Sequence, residues 1–97
     1  MNLMRPAELV PRFCTQLGLS PAAQAKAVEI IELYERSEKY SGKSPTGIAA
    51  AAIYVSTMAC NERRTQKKVA DVTNISEVTI RNRYKELTEK LGIEIQL

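Results

Sequence analysis

The sequence predicts an all-α fold of five helices packed around a buried third helix, and three features carry that reading. Ser20-Pro21 and Ser44-Pro45 each offer a capping hydroxyl followed by a proline at the first helical position. The run Ile48 to Cys60, IAAAAIYVSTMAC, holds no charged residue, so a helix there is apolar on every side. No segment reads as a credible strand, and only four Gly and four Pro among 97 residues exclude a collagenous, low-complexity or mostly disordered chain.

Each element has its own signals. The first helix runs from about Ala7 to Leu17, with Leu9, Val10, Phe13, Cys14 and Leu17 on one face, and Gly18 stops it. Pro11 is tolerable there only within or just beyond the first turn, where N–H groups lack partners anyway. After the Ser20 cap, Ala23, Ala27, Ile30, Ile31 and Tyr34 form the inner stripe of the second helix. Most of Glu29, Glu32, Glu35, Arg36, Glu38 and Lys39 are expected to face water, with Glu32–Arg36 and Glu35–Lys39 at favourable spacing. Tyr40-Ser41-Gly42-Lys43 reads as a turn. The third helix then serves as the hub, its alanines at 49 to 52 letting neighbours approach closely. Thr65 caps a short fourth helix, Gln66 to about Thr73, in which Val69, Ala70 and Val72 are apolar. Asn74-Ile75-Ser76 makes a tight turn, with Asn74 suited to a left-handed conformation. Ser76 caps the fifth helix, Glu77 to Leu91, whose inner stripe is Ile80, Tyr84, Leu87 and Leu91. Gly92 ends it, and the IEIQL tail is expected to be a short docked or frayed extension.

The length and composition exclude much. The chain is one domain's worth, 1–97. It has no His, which removes Ser-His and Cys-His nucleophilic pairs and His-containing zinc sites. Cys14 and Cys60 form no CxxC pair and read as buried or partly buried thiols, so neither a metal nor a cofactor is expected. No carboxylate pair, nucleophile–base set or glycine-rich phosphate loop is present, so an enzyme is not expected. No apolar run is long enough for a signal peptide or a membrane span, so the chain is expected to be soluble and intracellular.

Charge distribution is more informative than the net charge of +3. Residues 1 to 62 are balanced. Residues 63 to 85 carry Arg63, Arg64, Lys67, Lys68, Arg81, Arg83 and Lys85 against Asp71 and Glu77 alone. The fourth and fifth helices, about 65–91, have the spacing of a helix-turn-helix. Lys67 and Lys68 stand in the first turn of a helix, where the macrodipole disfavours cations unless a phosphate is bound nearby. Arg63, Arg64, Thr65, Lys67 and Lys68 are therefore expected at a nucleic-acid backbone. Arg83 and Lys85 reach phosphate too, or pair with nearby glutamates. With Ile80, Tyr84 and Leu87 turned inward, Val78, Arg81, Asn82 and Lys85 share the outer face. Arg81 suits the guanine O6/N7 edge and Val78 a thymine methyl, with Asn82 beside them as a further base contact. The competing expectation is a protein-interaction module whose basic face docks an acidic partner.

The stretch RTQKKVADVTNISEVTIRNRYKELTEKLG resembles the end of the second cyclin-like repeat of the archaeal transcription factor B family, the counterpart of eukaryotic TFIIB. SGKSPTGIAAAAIYVS looks like that repeat's central helix and PRFCTQLGLS like its first. The resemblance covers about residues 5–92 and implies that they are the core of a single five-helix cyclin fold in a general transcription initiation factor. It implies binding to double-stranded promoter DNA at the B-responsive element beside the TATA box, together with TATA-binding protein. It places the base-contacting valine and arginine on Val78 and Arg81. It also implies action on the chromosome in an archaeal cytoplasm. The family's zinc ribbon and first repeat have no counterpart in these residues. The chain is thus expected to be a fragment or a shortened relative, with RNA polymerase engaged through parts absent here.

Overall fold

A computed structural model describes residues 5–36 and 44–92, without the side chains of Lys90 and Leu91. Within them lie five helices: α1 (Pro6–Leu17), α2 (Pro21–Glu35), α3 (Pro45–Ala59), α4 (Gln66–Thr73) and α5 (Glu77–Leu91). The expected Tyr40–Lys43 turn, the IEIQL tail, Glu38, Lys39 and the side chain of Leu91 lie outside the described residues.

Local hydrogen bonds set the helix boundaries. Ser20 Oγ accepts from Ala23 N at 3.2 Å, Ser44 Oγ from Gly47 N at 3.3 Å, Thr65 Oγ1 from Lys68 N at 3.0 Å and Ser76 Oγ from Thr79 N at 3.1 Å. Each satisfies an N–H that the helix leaves without a partner. Gly18, Asn74 and Gly92 close α1, α4 and α5 in the left-handed region, at φ of 67°, 60° and 63°. One N-terminus was not foreseen. The backbone N–H of Arg5 donates to Glu8 Oε2 at 3.1 Å, so α1 starts at Pro6. Pro11 therefore falls at the sixth helical residue, past the first turn, and removes the N–H that would bond Ala7. The helix continues, because Pro11 is exposed and its carbonyl accepts the Thr15 hydroxyl at 2.8 Å.

The hub assignment holds. Every residue from Gly47 to Thr57 is buried, and α3 packs against all four other helices. Burial relaxes only at its C-terminal end, where Met58 and Cys60 are half-buried and Ala59 is exposed. The buried Ser56 and Thr57 hydroxyls need no outside partner, since Ser56 Oγ donates to Ile53 O at 2.8 Å and Thr57 Oγ1 to Tyr54 O at 2.7 Å, while the Tyr54 hydroxyl accepts from Gln66 Nε2 of α4 at 3.5 Å. The expected stripes of α1, α2 and α5 are all buried wherever their side chains are described. Tyr54 of α3 and Tyr84 of α5 meet edge-on with centroids 5.2 Å apart. On α2, Glu29 and Glu32 are exposed as expected, whereas Glu35 is half-buried and pairs with Arg5 at 3.2 Å.

Ala51→Glu should therefore place an uncompensated carboxylate where α3 meets its neighbours, at a cost of several kcal/mol, enough to unfold a domain of this size. Glu32→Ala, on exposed surface, should stay within about 0.5 kcal/mol. A thermal melt of the two variants checks this directly, with loss of the folded transition expected for the first alone.

A candidate nucleic-acid interface

The α4–α5 pair has the expected helix-turn-helix form. Val69 on α4 and Ile80 on α5 are fully buried, and Ile75 in the turn is half-buried. Asn74, left-handed at φ 60°, donates its N–H to Ala70 O at 2.8 Å and turns the chain into the Ser76 cap. With Ile80, Tyr84 and Leu87 inward, Val78, Arg81, Asn82 and Lys85 form one exposed stripe. These positions are three, four and seven residues from the first, so they lie along one helix face. Val78 is 59% exposed; among the described residues the only other large hydrophobic side chain called exposed is Leu33, at 38%. Solubility disfavours an exposed valine here, and the first turn of a helix gives it no packing partner.

The basic residues near α4 divide into two groups. Lys67 and Lys68 are exposed in the first turn of α4, which contains no acidic residue. Arg63 is also exposed, and Thr65 supplies the cap between them. Arg63, Lys67, Tyr54, Met58 and Glu77 help to line a groove of about 450 Å³ where α4 begins. Among the described residues no ion pair engages Lys67, Lys68, Arg81 or Lys85.

Arg64 and Arg83 behave differently. Arg64 Nε donates to Leu17 O at 2.9 Å and one Nη to Gly18 O at 3.2 Å. The other Nη donates to Glu62 O and Arg63 O, each at 3.0 Å. Four of its five donors are thus spent on carbonyls of the protein itself. Arg83 is half-buried and bonded to Glu86, whose other carboxylate oxygen accepts the Tyr34 hydroxyl at 3.3 Å. Of the two roles expected for Arg83, the structure shows the glutamate pairing. Burial, then the Glu86 charge, raises the Tyr34 pKa.

Glu62 escaped the sequence reading altogether. Its carboxylate accepts from Ser20 N at 2.8 Å and from the Ser20 hydroxyl. The signal was present in the helix ends: α1 finishes without a cation and α2 begins without an acid. Arg64 and Glu62 supply those charges from elsewhere in the chain, each at the end the macrodipole favours. Burial, aided by the Glu62 charge, pushes the Cys14 thiol up to about 11, away from the reactive thiolate. Both cysteines are free, and among the described residues no cluster of three or more metal-ligating side chains occurs.

Residues 1–90 match the family described as the transcription factor TFIIB repeat. The chain belongs to the TFIIB repeat family. It is 61% identical over 92 residues to a transcription initiation factor IIB of Archaeoglobus fulgidus, covering 95% of this chain and 28% of that protein. Identity is 55% over 92 residues to the factor of that name from Methanothrix thermoacetophila, with 95% and 27% covered. It is 53% over 93 residues to one from Haloarcula vallismortis, covering 96% of this chain and 82% of that relative. The chain thus spans under a third of the length of the first two relatives. The TFIIB repeat is a cyclin-like all-α fold, which the five helices match, and the family is not enzymatic. Among the described residues no helix is long and apolar enough to cross a membrane.

The Glu62 contact gives a pH signature. Hydrogen bonds from the Ser20 hydroxyl, then from its backbone N–H, hold the Glu62 carboxyl below its ordinary value of 4.5. A depressed folded pKa stabilises the fold above about pH 4.5, and that contribution is lost as pH falls through the folded value. Glu62→Gln should therefore melt below the unchanged chain at neutral pH. The gap should close as pH falls beneath 4.5 in a series of thermal melts.

Proposed function

We propose that this chain is the promoter-reading part of a general transcription initiation factor, a second cyclin-like repeat that binds double-stranded DNA through its helix-turn-helix. The α5 N-terminal turns enter the major groove, with Val78, Arg81 and Asn82 on base edges at the B-responsive element beside the TATA box. Arg63, Lys67, Lys68 and Lys85 hold phosphates, with the α4 N–H groups and Thr65 beside them. The single observation that carries this reading is the exposed Val78–Arg81–Asn82–Lys85 stripe, next to a helix N-terminus bearing two lysines and no acid. Val78 and Arg81 lie about 5 Å apart along the axis, matching contacts to neighbouring base pairs. TATA-binding protein is the partner on the same promoter, and RNA polymerase is engaged through other parts of the longer factor. No cofactor enters this chain's share of the work, which takes place on the chromosome in the archaeal cytoplasm.

Two measurements test it, both by titration of duplexes with TATA-binding protein present. With about four phosphate contacts, log K should fall against log salt with a slope near −4, and Lys68→Ala should make it shallower by about one on every sequence. Arg81→Ala should cost about 1–3 kcal/mol on the preferred element and much less on scrambled DNA, because the bidentate guanine contact exists only there. Arg81→Lys should restore general attraction but not discrimination, since an ammonium lacks the planar fork. Equal losses on both DNAs would make Arg81 a phosphate contact. Binding without sequence preference, indifferent to Val78→Ala, would favour docking of an acidic partner.

A further inference from the structure

The connection between α3 and α4 carries no apolar anchor of its own, yet it is tied across the molecule. After α3 the chain passes through Asn61, left-handed at φ 60°, and Glu62 N donates to Thr57 O at 2.7 Å. The Glu62 carboxylate then grips both donors of Ser20, the residue that caps α2. Two residues later the Arg64 guanidinium reaches the final carbonyls of α1, Leu17 O and Gly18 O. The next residue is Thr65, the cap of α4. The two side chains thus fasten one loop to the α1–α2 turn by opposite charges, immediately before the helix that presents Lys67 and Lys68.

We propose that Glu62 and Arg64 are positioning residues for the DNA interface: a clasp that fixes where the N-terminus of α4 stands and so where Lys67 and Lys68 meet phosphate. The proposal rests on the DNA-binding reading above. Neither residue touches DNA in it. Glu62 acts through Ser20, and Arg64 acts through the end of α1. A carboxylate close to a polyanion site is otherwise a repulsive charge, and its presence there is accounted for by what it holds. Guanidinium geometry matters for the same reason, because one planar group spans carbonyls from two separate segments.

Charge and position make opposite forecasts, which allows a clean test. Glu62→Gln removes a negative charge and leaves one acceptor oxygen for Ser20's two donors. Arg64→Lys keeps the positive charge but cannot span the same carbonyls. If only charge matters, the first variant binds DNA more tightly and the second binds it unchanged. The clasp predicts that both bind the preferred duplex about three- to tenfold more weakly, as expected for lost hydrogen bonds that hold a charged site. It also predicts a shallower salt slope in both, although no cation has been removed. Binding is read at a temperature where circular dichroism shows each variant fully helical, so that a change in stability alone moves neither quantity. Should Arg64→Lys melt too low, Glu62→Gln decides alone. Tighter or unaltered binding with an unaltered slope overturns the clasp while leaving the DNA-binding reading intact. Failure of the unsubstituted chain to bind any duplex overturns both.

Discussion

The whole arrangement depends on removing one helix from water on every side. From Gly47 to Thr57, α3 carries no charge and is buried throughout, and its Ser56 and Thr57 hydroxyls bond back to their own helix. Burying it takes four neighbours, and each neighbour must turn an apolar stripe inward to provide the cover. Ala49, Ala50, Ala51 and Ala52 are fully buried, so backbones come close to α3 without a large side chain between them. The outward faces follow as a consequence. Once Ile80, Tyr84 and Leu87 are committed to the centre, helical geometry leaves Val78, Arg81, Asn82 and Lys85 on the opposite side of α5.

Packing fixes which face of α5 looks out, and polar contacts fix how firmly the surface elements stand. The Tyr34 hydroxyl of α2 donates to Glu86 of α5, and Arg83 holds the same carboxylate from one turn earlier. Tyr54 and Tyr84 brace α5 against the hub nearer its middle. The α4 end is secured differently, by Glu62 and Arg64 acting on the ends of α1 and α2. The basic face therefore contains two kinds of cation. Lys67, Lys68, Arg81 and Lys85 project into solvent, whereas Arg64 and Arg83 hold the frame.

Features written within three or four residues were legible in the sequence. The Ser20, Ser44, Thr65 and Ser76 caps, the left-handed Asn74 and the glycine stops each depend on neighbours close in the chain. The charge-free hub was legible because no periodic pattern other than complete burial explains it. The outer stripe of α5 followed from its inner one by subtraction. What escaped were contacts across long separations. Arg64 bonds a carbonyl 47 residues away, and Ser20 meets Glu62 across 42, so their charges looked the same as those of Lys67 or Glu32. Glu35 stands apart from its exposed neighbours Glu29 and Glu32 for a related reason, since Arg5, its partner, lies 30 residues from it in sequence. Arg5 stands at the N-cap of α1 where Ser, Thr, Asp or Asn is usual, so the start at Pro6 went unread, and Pro11 is the sixth helical residue rather than the fifth.

The central claim is that α5 reads bases while the start of α4 holds the backbone, and amide NMR of the labelled chain tests this residue by residue. Titration with a preferred duplex and TATA-binding protein should shift the amides of residues 66–68 and those of 77–82. A scrambled duplex should shift the first group and leave the second largely in place. Shifts on the outer face of α2, around Glu29 and Glu32, with residues 77–82 unmoved by either duplex, would contradict the account.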